Sequence, residues 1–285
     1  MDTEAFLVIC DKIMNLRMYP YFELAHCVVT CMCIKEDLAE GSHLFSRKHP
    51  FSCWISCMLA MYSGAILTNF LLGESIISAY NNENFLILAI GAWYVIFYAP
   101  FDIGYRVFNF LPVKLVLAVM KEVIRCKKIH DGVIHAANIY PNSFLIMIVI
   151  GTLKGNGYAF LKIFERLLRG VWSPNSFETM QLSFSTKLCI VASIVFIFTE
   201  ISGIISVPDA LIYFGVLTFF VYCKIEAMLY GIHDWFVPFE KLFCVIFLGG
   251  LWDKLGHIHI PANKNSRTFI KKERNVKMEW MKKKE

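Results

Sequence analysis

Lys121, Arg125 and Lys128 stand at i, i+4 and i+7 in the stretch "KEVIRCKKI", so on a helix they share one face. Three cations on one face suit a phosphate ester: the planar fork of an arginine takes two oxygens at once, and each lysine adds a point charge. Glu122 lies three residues before Arg125, within reach of it, and relieves part of the charge. Lys127 and Lys128 either join the stripe or face water. A further cation, Lys154, sits in "IGTLKGNGYAF", about ten residues into an apolar segment, too deep for its ammonium to reach water easily. It needs a polar interior or a partner. The membrane ligand that fits such a cationic pocket is an anionic lipid headgroup entering between helices.

The elements that hold these residues are set by composition. Of 285 residues, 57% are hydrophobic and 18% charged, and the mean hydropathy is +0.54. A soluble globular domain is excluded, and an all-α integral membrane protein is expected. Seven apolar stretches are long enough to span, at about 18–34, 51–77, 85–101, 110–135, 143–168, 187–207 and 209–231. The fourth contains the charged stripe. If its helix ended near Val119, six spans would remain and the basic segments would fall on opposite sides of the membrane, against the positive-inside rule. The start, "MDTEAFLVICDKIMNLR", is acidic and amphipathic, unlike a signal peptide, so the first span is expected to serve as its own insertion signal.

Lys35, Arg47 and Lys48, and then Lys162, Arg166, Arg169 and Lys187, mark two cytoplasmic segments, whereas "GESIISAYNNEN" and "SGIISVPDA" hold no Lys or Arg. After Trp252 there are ten Lys and Arg against four Asp and Glu. The C-terminus is therefore expected in the cytoplasm and the N-terminus in the lumen. The tail lacks interleaved aromatics and any nucleic-acid motif, so solvation or anionic lipid is its expected partner, and no nucleic acid. Its end, "KKKE", resembles the dilysine retrieval signal of endoplasmic-reticulum membrane proteins.

The ten cysteines fall mostly in apolar spans and read as small hydrophobes, with neither a disulfide framework nor a metal site. No nucleophilic triad, zinc-protease motif or paired carboxylates stand at useful spacing, so an enzyme is not expected. Lys224 and Glu226 in the last span read as a structural ion pair.

Proline and glycine repeat with a common offset. Pro20 and Pro112 are 92 residues apart, and Pro50 and Pro141 are 91 apart; Gly64 and Gly155 then follow the second pair by 14 residues each. Two three-helix units are implied, the second inserted upside down because each has an odd number of spans. The expected architecture is seven transmembrane helices, an inverted three-helix repeat plus one helix. The second helix is broken at glycines (Gly64, Gly73), as is the fifth (Gly151, Gly155, Gly157), and both line a mid-membrane site. Close packing at small residues is the alternative explanation of those glycines. The organisation is a lumenal segment 1–17, repeats at 18–109 and 110–207, a seventh helix at 208–238 and a basic cytoplasmic tail at 239–285.

"PFDIGYR", "KEVIR" followed by "KKIHDGV", "YPNSF", "GTLKGNG" and "LLRGVWSP" together resemble the trimeric intracellular cation channels, over about residues 20–230. The resemblance implies a homotrimer with one pore per protomer. Each pore would conduct monovalent cations, mainly potassium, to balance charge during calcium release from the endoplasmic or sarcoplasmic reticulum. It also implies that Lys121 and Arg125 hold the headgroup of phosphatidylinositol 4,5-bisphosphate, with Lys128 and Lys154 as candidates for the same lipid site or for the pore. The five glycines would be pore hinges. A bound lipid phosphate would then mask cations that otherwise repel potassium. The competing expectation is an inverted-repeat secondary transporter, although such carriers usually bury titratable carboxylates at mid-membrane.

Overall fold

The computed structural model describes residues 3–38, 42–170, 183–200 and 207–231, together with 236–238 and 242. The chain divides into two units, Met1–His233 and Asp234–Glu285. Apart from Leu242, the expected basic tail lies outside the described residues.

Ten α-helices and no strand are present among the described residues: α1 Thr3–Met14, α2 Tyr21–Asp37, α3 Ser42–Lys48, α4 Pro50–Leu72, α5 Glu83–Tyr98, α6 Ile103–Asn109, α7 Leu111–Ile139, α8 Phe144–Leu168, α9 Phe184–Glu200 and α10 Asp209–Leu229. Local sequence explains several of their ends. Pro50 opens α4 and Pro112 opens α7, where a missing N–H costs nothing. Asn82 caps α5 by accepting from the Phe85 amide. Gly73 ends α4 in the left-handed region at φ 73°, with Glu74 N–H on Asn69 O and Gly73 N–H on Phe70 O, a paired closure that glycine permits.

Among the described residues, three helices are long and apolar enough to cross a membrane: α4, α8 and α10. The pair Glu83–Tyr98 and Pro100–Asn109, bent by 96°, qualifies only if taken as one broken span. The other expected spans fall short by length or charge. α2 has 17 residues and holds Glu23, Lys35, Glu36 and Asp37, α7 carries the cationic stripe, and the apolar part of α9 is Phe184–Thr199.

Two expectations are settled within the helices. α7 is one continuous helix of 29 residues, so it does not end near Val119 and the stripe is helical. The expected break in the second span is absent: α4 runs straight through Gly64, and Gly73 is its C-terminal cap. α8 does leave helical geometry, but at Asn156 (φ −141°, ψ 40°), the residue between Gly155 and Gly157.

α8 packs against α4, α7 and α9, while α2 packs against α5 and α7. α10 covers α7 and receives α1, with Phe6 edge-on to Phe214 at 5.6 Å. The core between α2, α4 and α5 is apolar and holds four of the cysteines, Cys27, Cys31, Cys53 and Cys57, all inaccessible. Among the described residues the cysteines are free, and no group of three could hold a metal. Lys224 makes no ion pair with Glu226, since residues two apart point to different sides of a helix; Glu226 accepts instead from the Tyr222 hydroxyl one turn earlier.

Candidate functional site: a cationic cavity between α2, α4, α7 and α8

α7 presents the stripe to a cleft of about 480 Å³, a volume that takes in the open space at its mouth. Lys121, Arg125 and Lys128 form its α7 wall, and Lys154 through Tyr158 its α8 wall. α4 contributes Gly64 and Ser63, and α2 contributes His26 and Thr30. The four cations chosen from the sequence therefore meet at one place.

Their partners differ. Arg125 is matched within its own helix: Nη1 donates to both carboxylate oxygens of Glu122, at 2.8 and 2.6 Å. That carboxylate is almost wholly buried, so the pair is a desolvated ion pair in which each charge depends on the other. Lys121 Nζ donates to the hydroxyl of Thr30 at 3.4 Å, and Lys128 Nζ lies 3.3 Å from His26 Nε2 and over the Phe85 ring. Both lysines thus meet neutral groups at hydrogen-bond range and keep ammonium protons for an anion. Lys127 turns away from the cavity; its Nζ donates to Met14 O at 3.3 Å and pairs with Asp131 at 3.5 Å. The carboxylates that bear on Lys154 are Asp131 and Glu74, and Glu74 also meets His135 at 2.8 Å.

The glycines divide by role. A Cβ on Gly64 would stand 2.6 Å from the Lys154 carbonyl oxygen, and one on Gly157 would stand 2.6 Å from the Gly64 Cα. Gly64 and Gly157 are therefore where α4 and α8 touch backbone to backbone. Gly155 lies against Ile129 of α7, and Gly151 against Ser193 of α9 and Val133 of α7. Gly73 has no neighbour near its Cβ position and stands outside the cavity lining.

Sequence reasoning missed His26, Thr30, Ser63 and Asn156. A histidine and a threonine one turn apart in an apolar span were a usable signal, since Thr30 returns its hydroxyl proton to His26 O at 2.7 Å. Asn156 carried none, because its partners Thr186 and Ser183 come from α9 and the residue before it.

The basic residues counted toward topology form a second cluster. Arg166 and Arg169 both donate to Asp37 at the end of α2, at 2.8 and 2.7 Å, and Arg169 is held by buried Glu165 as well. Partial burial pushes the Asp37 carboxyl up, but the two guanidinium groups outweigh it and hold its pKa well below the usual carboxylate range.

The sequence profile of the TRIC channel family matches residues 39–231. The trimeric intracellular cation channel type 1B.1 of Caenorhabditis elegans is 44% identical over 267 residues, which cover 94% of this chain and 90% of that relative. The type A channel of Rattus norvegicus is 38% identical over 241 residues, covering 84% and 79%. A solved structure of a trimeric intracellular cation channel from C. elegans in the absence of Ca2+ superposes with a TM-score of 0.77 at 44% identity, over 82% of this chain and all of that one. A structure of TRIC counter-ion channels in calcium release gives a TM-score of 0.73 at 32% identity, over 79% and 99%.

Proposed function

Because the chain belongs to the TRIC channel family, a family of multi-pass membrane channels and not of enzymes, we propose that it conducts monovalent cations, chiefly potassium. In this reading it supplies counter-ion current during calcium release from the endoplasmic or sarcoplasmic reticulum. The functional unit is a homotrimer with a path through each protomer. Each protomer has seven spans, with α5 and α6 as one of them, arranged as an inverted three-helix repeat plus α10. The N-terminus is lumenal and the C-terminus cytoplasmic.

One observation carries this reading: Lys121, Arg125, Lys128 and Lys154 line a single cavity at the contact of α4 and α8, the middle helices of the two repeats. A cavity with such a lining repels potassium until an anion occupies it. The headgroup of phosphatidylinositol 4,5-bisphosphate is the occupant we assign. The donor set suits it, since Lys121 and Lys128 meet only neutral groups at hydrogen-bond range. Arg125, already engaged by Glu122, offers its remaining N–H groups. The bound lipid supplies negative charge that shapes the path, and movement of α8 against α4 gates it.

Planar-bilayer recording of the purified protein under a potassium gradient, with and without the inositol lipid, tests the assignment. Discrete picoampere currents that the lipid modulates are expected, with binding abolished by Lys121→Ala together with Arg125→Ala. Unchanged binding refutes the lipid site, and slow saturable flux in place of unitary currents would make the protein a secondary transporter.

A further inference from the structure

Asn156 interrupts α8 in the wall of the cavity, and its side chain is tied elsewhere. Its Nδ2 donates to Thr186 Oγ1 at 2.9 Å and to Ser183 Oγ at 3.4 Å. Those two hydroxyls hydrogen-bond each other at 2.9 Å, and Ser183 Oγ accepts the Thr186 amide at the start of α9. Thr186 is almost fully buried. The amide therefore reaches into a fixed pair of hydroxyls that belongs to the N-terminal end of another helix.

The repeat provides an internal control. With the 91-residue offset of Gly64 and Gly155, Asn156 corresponds to Ala65; α5 and α9 start at Glu83 and Phe184, 101 residues apart, so Ser183 and Thr186 correspond to Asn82 and Phe85. The first repeat thus has no amide on its middle helix and no hydroxyl at those two positions to receive one, and there α4 stays helical. Glycine is present at both places, but only the one with the side-chain tether is broken.

We infer that Asn156 is a positioning residue for conduction: its tether to Thr186 and Ser183 holds α8 out of helical geometry and so keeps the Lys154–Tyr158 wall of the cavity in its conducting shape. Without the tether, α8 closes into a continuous helix as α4 does. Gly64 and Gly157 then pack along an unbroken crossing that narrows the path. This inference rests on the reading of the cavity as the ion path.

Single-channel recording with Asn156→Ala and Thr186→Val tests it. Each variant should lower open probability about fivefold, the worth of one hydrogen bond, with the unitary current unchanged. Thr186→Ser, which keeps the hydroxyl, should restore it, and the double variant should be no worse than either single one. Wild-type open probability in both variants, additive losses, or a fall in unitary current instead of open probability overturns the tether while leaving the channel reading intact. If the wild type carries no cation current, the channel reading fails, and amide hydrogen exchange in lipid nanodiscs decides the tether separately. Exchange across 156–160 should slow in Asn156→Ala as the helix closes, and unchanged or faster exchange overturns it.

Discussion

Gly157 and Gly64 meet so closely that a methyl group on the first would stand 2.6 Å from the Cα of the second. Two halves of the chain, 93 residues apart, are in backbone contact there. In a membrane, where lipid tails are as apolar as leucine, this kind of approach is a main source of helix association.

Gly64→Ala should therefore be costly, because the intruding methyl meets the Lys154 carbonyl oxygen, a backbone atom that no side-chain rotation can clear. Overpacking of this kind costs about 1–3 kcal/mol. Gly215→Ala, in α10 with no atom near its Cβ position, is the matched control and should be neutral or stabilising. Thermal unfolding in detergent checks both, and equal melting temperatures would discard the contact as a determinant of stability.

Removing either member of the Glu122–Arg125 pair should cost more than removing both. A lone buried charge is destabilising by roughly 3–5 kcal/mol, whereas an apolar replacement of the whole pair is often neutral. Glu122→Gln and Arg125→Met are each expected to lower yield and melting temperature, with partial recovery in the double variant. Additive losses would contradict the coupling. The same logic demands that lipid-binding assays on Arg125→Ala be accompanied by a folding control.

Lys128 and Lys127 are adjacent in sequence but differ in surroundings, and this difference is measurable. In a Cys33→Ser, Cys244→Ser background, which removes the one cysteine exposed among the described residues and the one outside them, Lys128→Cys should react with a cationic thiosulfonate reagent to reduce current. Lys127→Cys, beside Met14 O and Asp131, should leave current unchanged. Identical effects at both positions would place the cavity wall elsewhere.

Asp37 makes stability depend on acid. Its pKa is held below the unfolded value by Arg166 and Arg169, so its contribution is fully present above the unfolded pKa of about 4 and is lost as pH falls through the folded value. Asp37→Asn should be less stable than wild type at neutral pH, and the gap should close only below about pH 4. A gap that persists unchanged to lower pH would assign the effect to packing instead of charge.

The α7 stripe was legible because i, i+4 and i+7 spacing is a local property of one helix. The starts of α4 and α7 were legible because Pro50 and Pro112 suit the first turn of a helix. The break in α8 was readable only to within a residue, and the expected break in α4 was wrong for a physical reason. Glycine marks both a bend and a close approach, and at Gly64 the approach alone is realised. His26 and Thr30 escaped because their relation to Lys128 and Lys121 spans 102 and 91 residues and exists only after α2 has packed against α7.

The last three residues of α2, Lys35, Glu36 and Asp37, each engage a different neighbour. Lys35 donates to Ile96 O and Asp102 at the corner after α5, at 2.8 and 2.9 Å. Glu36 takes Lys114 at the start of α7 at 2.8 Å, and Asp37 takes Arg166 and Arg169 at the end of α8. Consecutive helical residues fan out by about 100°, so the three contacts leave in separate directions. Turning α2 by a single position would break all of them together. The end of α2 is thereby pinned to three neighbours at once, like a rivet through overlapping plates.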